Sequence, residues 1–527
     1  MRALDRLAMD ISYVFELAGS LRHTMTLEEA LPAVEQQLAA RSESFLDILD
    51  RAVYANPQSP YYKLLAHAGA ELGDIRREVQ QTGLERTLEK LYDAGVYVTS
   101  EEMKGRQPIQ RNGIEISTSP SDFDNPLSGR PQVVGASSGL TGRSTTFSGS
   151  LKSIPSGSRD LLVGILGDLG DRPIGYWTPD FVIALLWYVK VGRPPAKLFY
   201  TNKLPWTSFG VRQMLLLNYT RLVSRVLGRP LPAPEIASRG QAVKIAEWLA
   251  EMSARGRPAA MLCHANPAVR ICLAALEHGL DISRTLFIVF GEPFTPGKAS
   301  VLSSAGAEAR VSYAMSEAGV IGRGCAHATE LDDVHFYAHR LALIQRAKAV
   351  SSGESVGALI YTTVHPDNTK VLLNAESGDY ANVTRRECPC LMGRVGFNTH
   401  LHGIRSYEKL TSDGVTFMGS RLYDLVEQVL PAQFGGTIND YQLVEEEQPD
   451  GLARASLIVS PSVGPIDENA LVATVMKTLG RTHSEPGGEE MVEQWRQAAT
   501  LRVIRRQPYE TASMKVAPLY VQRRSAP

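Results

Sequence analysis

Four short stretches of this chain hold residue types that can bind a nucleotide. The first, VVGASSGLTGRSTTFSGS at 133–150, follows a strand-like Val-Val pair with hydroxyls at Ser137, Ser138, Thr141, Ser144, Thr145 and Thr146 and with Gly139 and Gly142. Phosphate oxygens call for many N–H and O–H donors and no bulky side chain where the backbone closes on them. A Walker A pattern cannot be threaded through this loop, and the same composition would serve a flexible surface linker. The second is Phe290-Gly291-Glu292-Pro293, directly after the apolar run TLFIVF. Open α/β sheets place ligands at such strand ends, although an ordinary turn reads the same way. The third, VSYAMSEAGVIGRG at 311–324, offers Tyr313 to stack on a purine, the Ser316 hydroxyl, and Glu317 to hold Mg²⁺ beside phosphates. A strand end followed by a Gly-rich loop is its plainer reading. The fourth, LLNAESGDYANV at 372–383, delivers Gly378-Asp379, where a carboxylate can accept bonds from ribose hydroxyls or simply close a hairpin.

These stretches need elements to position them. Residues 1–100 read as helix, with LEEALPAVEQQLAARSESFLDILDRAV and ERTLEKLYDAGV carrying apolar residues at helical spacing and Pro57 and Pro60 between them. Residues 101–135 lose periodicity. From about 131 short buried-strand runs (TLFIVF at 285–290, GALIYTTV at 357–364, VLLNA at 371–375) alternate with amphipathic helices such as KIAEWLAEMSA and ICLAALEHGL. PLPAPEIASRG at 230–240 reads as a surface loop. Past 400 the elements shorten into a small α+β unit, with Gly403–Ser412 as the expected linker. The chain has 527 residues, with 55 Lys+Arg against 56 Asp+Glu, which argues against a general nucleic-acid or anionic-membrane binder. No stretch reads as a membrane span or secretory signal. The 5 cysteines are too few for a disulfide scaffold in a chain this long, so the cytoplasm is the expected compartment.

Taken in order, SSGLTG, GEP, YAMSE, SGD, a linker with Arg405 and a terminal lysine resemble the adenylate-forming superfamily of acyl–coenzyme A synthetases, and within it the phenylacetate–coenzyme A ligase branch. The matches are Ser137, Ser138, Gly139, Thr141, Gly142 and Thr145 in the phosphate loop; Gly291, Glu292 and Pro293 on the adenine side; Tyr313, Ser316 and Glu317; Asp379 in the ribose motif; CPCLMGRVG at 388–396; and TASMKVAPL at 511–519 with Lys515. Leu140, Ala314, Glu376, Ser377 and Met514 depart from the family pattern. The resemblance covers about residues 130–527. It implies a multi-sheet α/β large domain with a mobile α+β C-terminal domain: 1–110 a helical extension or cap, 111–404 the ATP- and acid-binding unit, 405–527 the unit bearing Lys515.

The implied activity is ATP-dependent and AMP-forming. A carboxylic acid is adenylated, and the acyl group then passes to coenzyme A or another thiol, such as that of a carrier protein. Amide or ester formation without coenzyme A is one alternative, and an inactive nucleotide-binding relative is another. Glu317 is assigned to Mg²⁺, Lys515 to the carboxylate and α-phosphate, and Arg405 to ribose or phosphate. Some members of the branch carry a structural Zn²⁺ on three Cys and one His, and the matching positions here are Cys325, His335, Cys388 and Cys390. Two unrelated buried cysteines beside an exposed C-x-C is the competing reading. Cys263 and Cys272 read as helix-packing residues. Tyr176, Trp177, Phe181, Trp187, Phe199 and Tyr200 would suit an aryl acid, but core packing is favoured. The N-terminal helices could form a homodimer surface or cap the acid pocket.

Overall fold

The computed structural model describes residues 3–522 apart from 106, 130–131, 138–144, 179–182, 202–207, 292, 350–354, 407–410, 413–414, 417–423, 448–452, 480–501, 511–515 and 517–518. The N-terminal region is helical, as its periodicity predicts: Ala3–Arg22, Leu27–Ala39, Arg41–Ile48, Pro60–His67, Leu72–Thr82 and Leu84–Asp93. Local signals set these boundaries. Thr26 and Glu29 form a reciprocal capping box at the start of the second helix, satisfying two N–H groups that the helix itself cannot. Pro60 stands at a first helical position, where its missing N–H costs nothing.

The aperiodic stretch after residue 101 forms the hairpin β1 (Ile109–Arg111) with β2 (Ile114–Ile116), followed by short turns. A second hairpin pairs β3 (Val133–Ser137) with β4 (Thr145–Gly149). The large sheet follows: β5 (Ile174–Thr178), β6 (Lys197–Tyr200), β7 (Pro234–Ile236), β8 (Ala260–His264), β9 (Leu286–Phe290), β10 (Glu308–Met315), β11 (Gly319–Arg323), β12 (Val334–Phe336), β13 (Leu341–Ala349), β14 (Ser355–Thr363), β15 (Ala375–Arg385) and β16 (Thr399–Ser406). These 12 strands are hydrogen-bonded in the order β13-β14-β15-β16-β12-β11-β10-β9-β8-β5-β6-β7. From β10 to β7 every pair is parallel, and from β13 to β10 every pair is antiparallel. The expected surface loop at 230–240 therefore contributes an edge strand, β7.

Both faces of the sheet are covered, which is why its parallel strands read as unbroken apolar runs. Alternate side chains enter different cores: Trp177, Phe199, Met261 and Phe287 pack with Phe45, Leu88 and Ile245, whereas Tyr176, Leu198, Leu262 and Ile288 pack with Tyr13, Leu161 and Leu185. Of the upstream aromatics, Tyr176, Trp177, Phe199 and Tyr200 are core, as favoured, and Trp187 is half-buried against it; Trp177 is fully buried and its indole N–H donates to the Ala237 carbonyl. Cys263 and Cys272 are buried packing residues. One expectation fails. VLLNA at 371–375 is buried but is not a strand, because Asn374 takes φ +50° and β15 begins only at Ala375. Asn374 instead donates to the carbonyls of Leu88 and Val96, tying the N-terminal helices to the head of β15.

The sheet also carries the chain past the expected start of the linker, since β16 continues through Arg405 to Ser406. After the short pair β17 (Thr411–Ser412) and β18 (Val415–Thr416), a smaller sheet has the order β21-β20-β19-β22, from β19 (Tyr441–Glu447), β20 (Ala453–Val459), β21 (Arg502–Arg505) and β22 (Leu519–Gln522). It packs with the helix Glu468–Leu479 around its own core of Leu425, Leu430, Tyr441, Leu457 and Leu471. The α/β class, with a large unit and a smaller α+β unit, is as expected. Among the described residues, the polar contacts between the two units include Glu427 with Thr295 and Lys298, Arg270 with Glu510, and Asn266 with the Val516 carbonyl at 2.9 Å.

Candidate active site and metal centre

The parallel strands bring three chain exits to one edge of the sheet. His264 at the end of β8 pairs with Phe290 at the end of β9, and Phe290 pairs with Ser312 on β10. Gly291 follows at φ +75°, a left-handed turn that favours glycine. The turn leads to Pro293, whose carbonyl accepts a bond from Lys298 Nζ at 2.8 Å. Thr295 caps the helix Pro296–Ser304 that carries Lys298.

Tyr313 projects from β10, and its hydroxyl donates to Asp379 Oδ2 at 2.8 Å. Burial first, then the adjacent Asp379 carboxylate, pushes the Tyr313 hydroxyl pKa well above its usual value, so it stays a protonated donor. Gly378 takes φ +77° and Asp379 N donates to Ser377 Oγ at 3.1 Å, which fixes the turn geometry of the Ser-Gly-Asp segment. Ser316 and Glu317 occupy the turn between β10 and β11, half-exposed. Arg405 lies across from Tyr380 on the neighbouring strand, and its guanidinium is held by Asp332 at 3.0 Å. Asp332 also accepts from the backbone of Gly403 and Ile404. Nothing in the spacing of LDDVH announces this clamp, because its two sides are 73 positions apart.

The glycine- and serine-rich loop is bounded by a real hairpin, with Ser137 opposite Thr145. Ser138, Gly139, Thr141 and Gly142 lie outside the described residues, as do Glu292, Phe181 and Lys515. The neighbour of Lys515 is informative. Val516 is buried, and its carbonyl is bound by Asn266, two residues beyond the end of β8. Val516 is thereby placed at the same strand ends as Gly291 and Tyr313.

Departures from the family pattern find partners here too. Glu376, just ahead of the Ser-Gly-Asp turn, is buried; it accepts from Tyr92 Oη at 2.8 Å and pairs with Lys348. It faces the N-terminal helices and serves as a brace for β15.

A second cluster stands apart from that edge. Cys325 after β11, His335 on β12, and Cys388 and Cys390 before the helix Leu391–Val395 bring their ligand atoms within 4.8 Å of one another. The Cys325 and Cys388 sulfurs are 3.7 Å apart, and Cys390 Sγ is 3.2 Å from His335 Nε2. Sulfurs on a tetrahedral zinc with Zn–S of about 2.3 Å sit about 3.8 Å apart, so the donor set fits. His335 Nδ1 lies 2.7 Å from the Phe397 carbonyl, which can only accept; the proton is therefore on Nδ1 and the Nε2 lone pair faces the sulfurs. Hydrogen bonding from Cys325 pulls the Cys390 thiol toward thiolate. Gly393 admits no side chain, because a Cβ there would meet the Cys388 carbonyl at 2.0 Å. Behind the ligands, Asp333 joins His400 at 2.7 Å and Arg386 at 2.5 Å. Burial opposes its ionisation, but these partners and the Thr329 N–H hold its carboxyl below the usual range. Sequence reasoning singled out the four ligands but not this supporting shell.

The architecture, a large sheet-centred unit with a smaller α+β unit, has counterparts among solved structures. Among solved structures, the chain resembles 2-hydroxyisobutyryl-CoA ligase in the postadenylation state in complex with 2-HIB-AMP, with a TM-score of 0.51 and 15% identity, covering 95% of this chain and 91% of that one. The same ligase in complex with R3-HIB-AMP matches with a TM-score of 0.50 and 16% identity, over 95% of this chain and 91% of that one. No family model matches the sequence. No curated protein matches it either.

Proposed function

We propose that this chain is an ATP-dependent, AMP-forming ligase that activates a carboxylic acid and transfers the acyl group to coenzyme A or another thiol. The observation that carries the reading is convergence. The Gly291 turn, Tyr313 with Asp379, and the Val516 carbonyl on Asn266 all lie at the carboxyl ends of β8, β9 and β10. Ligands bind at such ends in open α/β sheets. The likeness to 2-hydroxyisobutyryl-CoA ligase supports the fold on which this chemistry runs.

In the first half-reaction a substrate carboxylate oxygen attacks the α-phosphorus of ATP. The bond from that phosphorus to the bridging oxygen breaks, and pyrophosphate leaves. In the second half a thiolate attacks the acyl carbon and AMP leaves. The Ser137–Thr145 hairpin loop binds the β- and γ-phosphates through its hydroxyls and N–H groups. Tyr313 and the Gly291–Pro293 turn flank adenine, while Tyr313 also orients Asp379 toward ribose. Arg405, set by Asp332, is in line for ribose or phosphate. Lys515 stabilises the charge shared by the carboxylate and α-phosphate oxygens. Glu317, half-exposed on its turn, suits a hard cation such as Mg²⁺, which neutralises phosphate charge when bound. The Cys325, His335, Cys388 and Cys390 cluster has only N and S donors and four of them, which suits a closed structural zinc site.

The test is ATP–pyrophosphate exchange with a panel of carboxylic acids, repeated with coenzyme A, simple thiols and amines. Acid-dependent exchange abolished by Lys515→Ala or Glu317→Gln, followed by thioester formation, is expected. Exchange that yields amide and no thioester would reject the thiol acceptor. Acid-dependent exchange that survives both substitutions would reject the residue assignment.

A further inference from the structure

The first helix, Ala3–Arg22, lies against the helix Ser208–Val226: Asp10 binds Arg212, Tyr13 bonds Thr220 at 2.7 Å, and Tyr219 donates to the Val14 carbonyl at 2.6 Å. Positions rise together along both helices, so they run parallel. Their inner sides are buried through Tyr13, Leu17, Leu216 and Val223. Their outer sides are not polar, as a surface helix requires. Of the 11 large apolar residues found exposed among the described residues, eight stand on these two helices. Leu7, Ile11 and Val14 (57%, 49% and 38% exposed) step by four and three along the first, with Phe15 beside them at 81%. Leu215, Leu222 and Val226 (64%, 59% and 77%) continue the same spacing along the second, with Tyr219 at the intervening position.

Steps of four and three are the spacing by which helices seat side chains into a facing helix. A soluble protein rarely leaves such a patch uncovered. We infer that this face pairs with the same face of a second copy of the chain, forming a two-fold four-helix contact. Two features favour a second copy. One is area. A 20-residue helix is about 30 Å long, and two neighbours present a strip roughly 20 Å wide, so about 600 Å² is offered per protomer. Doubled, that reaches the lower edge of a stable protein–protein interface, about 1,200 Å². The other is charge. The helix Ser208–Val226 holds Arg212, Arg221 and Arg225 and no acidic residue, whereas the first helix holds three acidic residues against two basic, with Glu16 exposed. Asp10 is engaged by Arg212 of its own chain and Arg221 donates to Asn218, so the exposed Glu16 and the exposed Arg225 are the charges that the two rims present to a partner. Laying each first helix on the partner's Ser208–Val226 sets acidic rim against basic rim, as an isologous two-fold contact allows.

The test is sedimentation equilibrium of the full chain at low to tens of micromolar. The expected mass is twice 57.6 kDa. Leu222→Glu, and separately Ile11→Glu, are each expected to raise the dimer dissociation constant about a hundredfold or more, with circular dichroism and thermal midpoint of the monomer retained. Leu276→Glu, at an isolated exposed leucine elsewhere, should leave the mass unchanged. A monomeric parent chain, or a dimer indifferent to both helix substitutions, overturns the inference. So does a monomer that co-sediments with phosphatidylcholine–phosphatidylglycerol vesicles through this face. Should either variant misfold, Arg225→Glu, at an exposed rim position, is the second probe; an unchanged dissociation constant there removes the charge argument.

Discussion

Replacing Glu427 by Ala tests whether the smaller unit is latched to the turn and helix that follow β9. Glu427 is 7% exposed and Lys298 2%, with Nζ to Oε1 at 3.6 Å, and Thr295 donates its hydroxyl to the other carboxylate oxygen. Gly297 leaves room for this approach, since a Cβ there would touch the Glu427 side chain at 3.3 Å. Removing one partner of a buried pair typically costs about 3–5 kcal/mol, because the remaining charge is stranded. Lys298 retains the Pro293 carbonyl, so the lower figure applies. Because the smaller unit has a core of its own, the loss falls on docking and not on folding. About 3 kcal/mol is roughly a hundredfold in the docking equilibrium. Hydrogen–deuterium exchange reads this directly. Amides in 425–429 and in 293–299 should lose protection together by about that factor, while β13 and β14 stay unchanged. Glu427→Gln, which keeps an acceptor for Thr295, should show a smaller effect. Exchange that rises only in 425–429, or not at all, would refute the latch.

Other outcomes follow from the same geometry. Zinc analysis of the purified chain should give one metal per chain; Cys388→Ser or Gly393→Ala should abolish it and lower the thermal midpoint, and a midpoint indifferent to chelator would count against a structural metal. Tyr313→Phe should raise the KM for ATP about fivefold with little change in thermal midpoint, as one hydrogen bond of about 1 kcal/mol to Asp379 is lost. Burial, reinforced by Arg340 and His339, lowers the His365 imidazole to about 3. Its unfolded form takes up a proton near the ordinary value of about 6.5 while the folded form does not, so stability falls as pH drops from about 6.5 toward 3 by up to about 1.4 kcal/mol per unit. Urea midpoints at pH 7, 6 and 5 should therefore show a steeper decline in the parent than in His365→Asn.

The sequence made visible what depends on near neighbours. Apolar periodicity located the N-terminal helices, short apolar runs located β9 and β14, and the family resemblance picked out the Cys325, His335, Cys388 and Cys390 cluster that the fold brings together. It hid what depends on distant partners. Asp332 with Arg405, Tyr313 with Asp379, and Glu427 with Thr295 are joined across 73, 66 and 132 positions, distances over which no local pattern extends. The misjudged strand at 371–375 has a similar cause: its apolar run is genuine, but Asn374 bends the backbone to reach Leu88 and Val96, contacts set by tertiary structure.

The N-terminal helices touch residues synthesised much later. Tyr13 reaches 207 positions ahead to Thr220, Tyr92 284 ahead to Glu376, and Arg41 300 ahead to the Leu341 carbonyl. At about 5–20 residues per second, a ribosome takes roughly 15–60 s to supply these partners. During that interval the first hundred residues have left the exit tunnel with their inner faces uncovered. The chain therefore passes through a window in which the N-terminal helices have only one another, and not the sheet, to pack against before they brace β15.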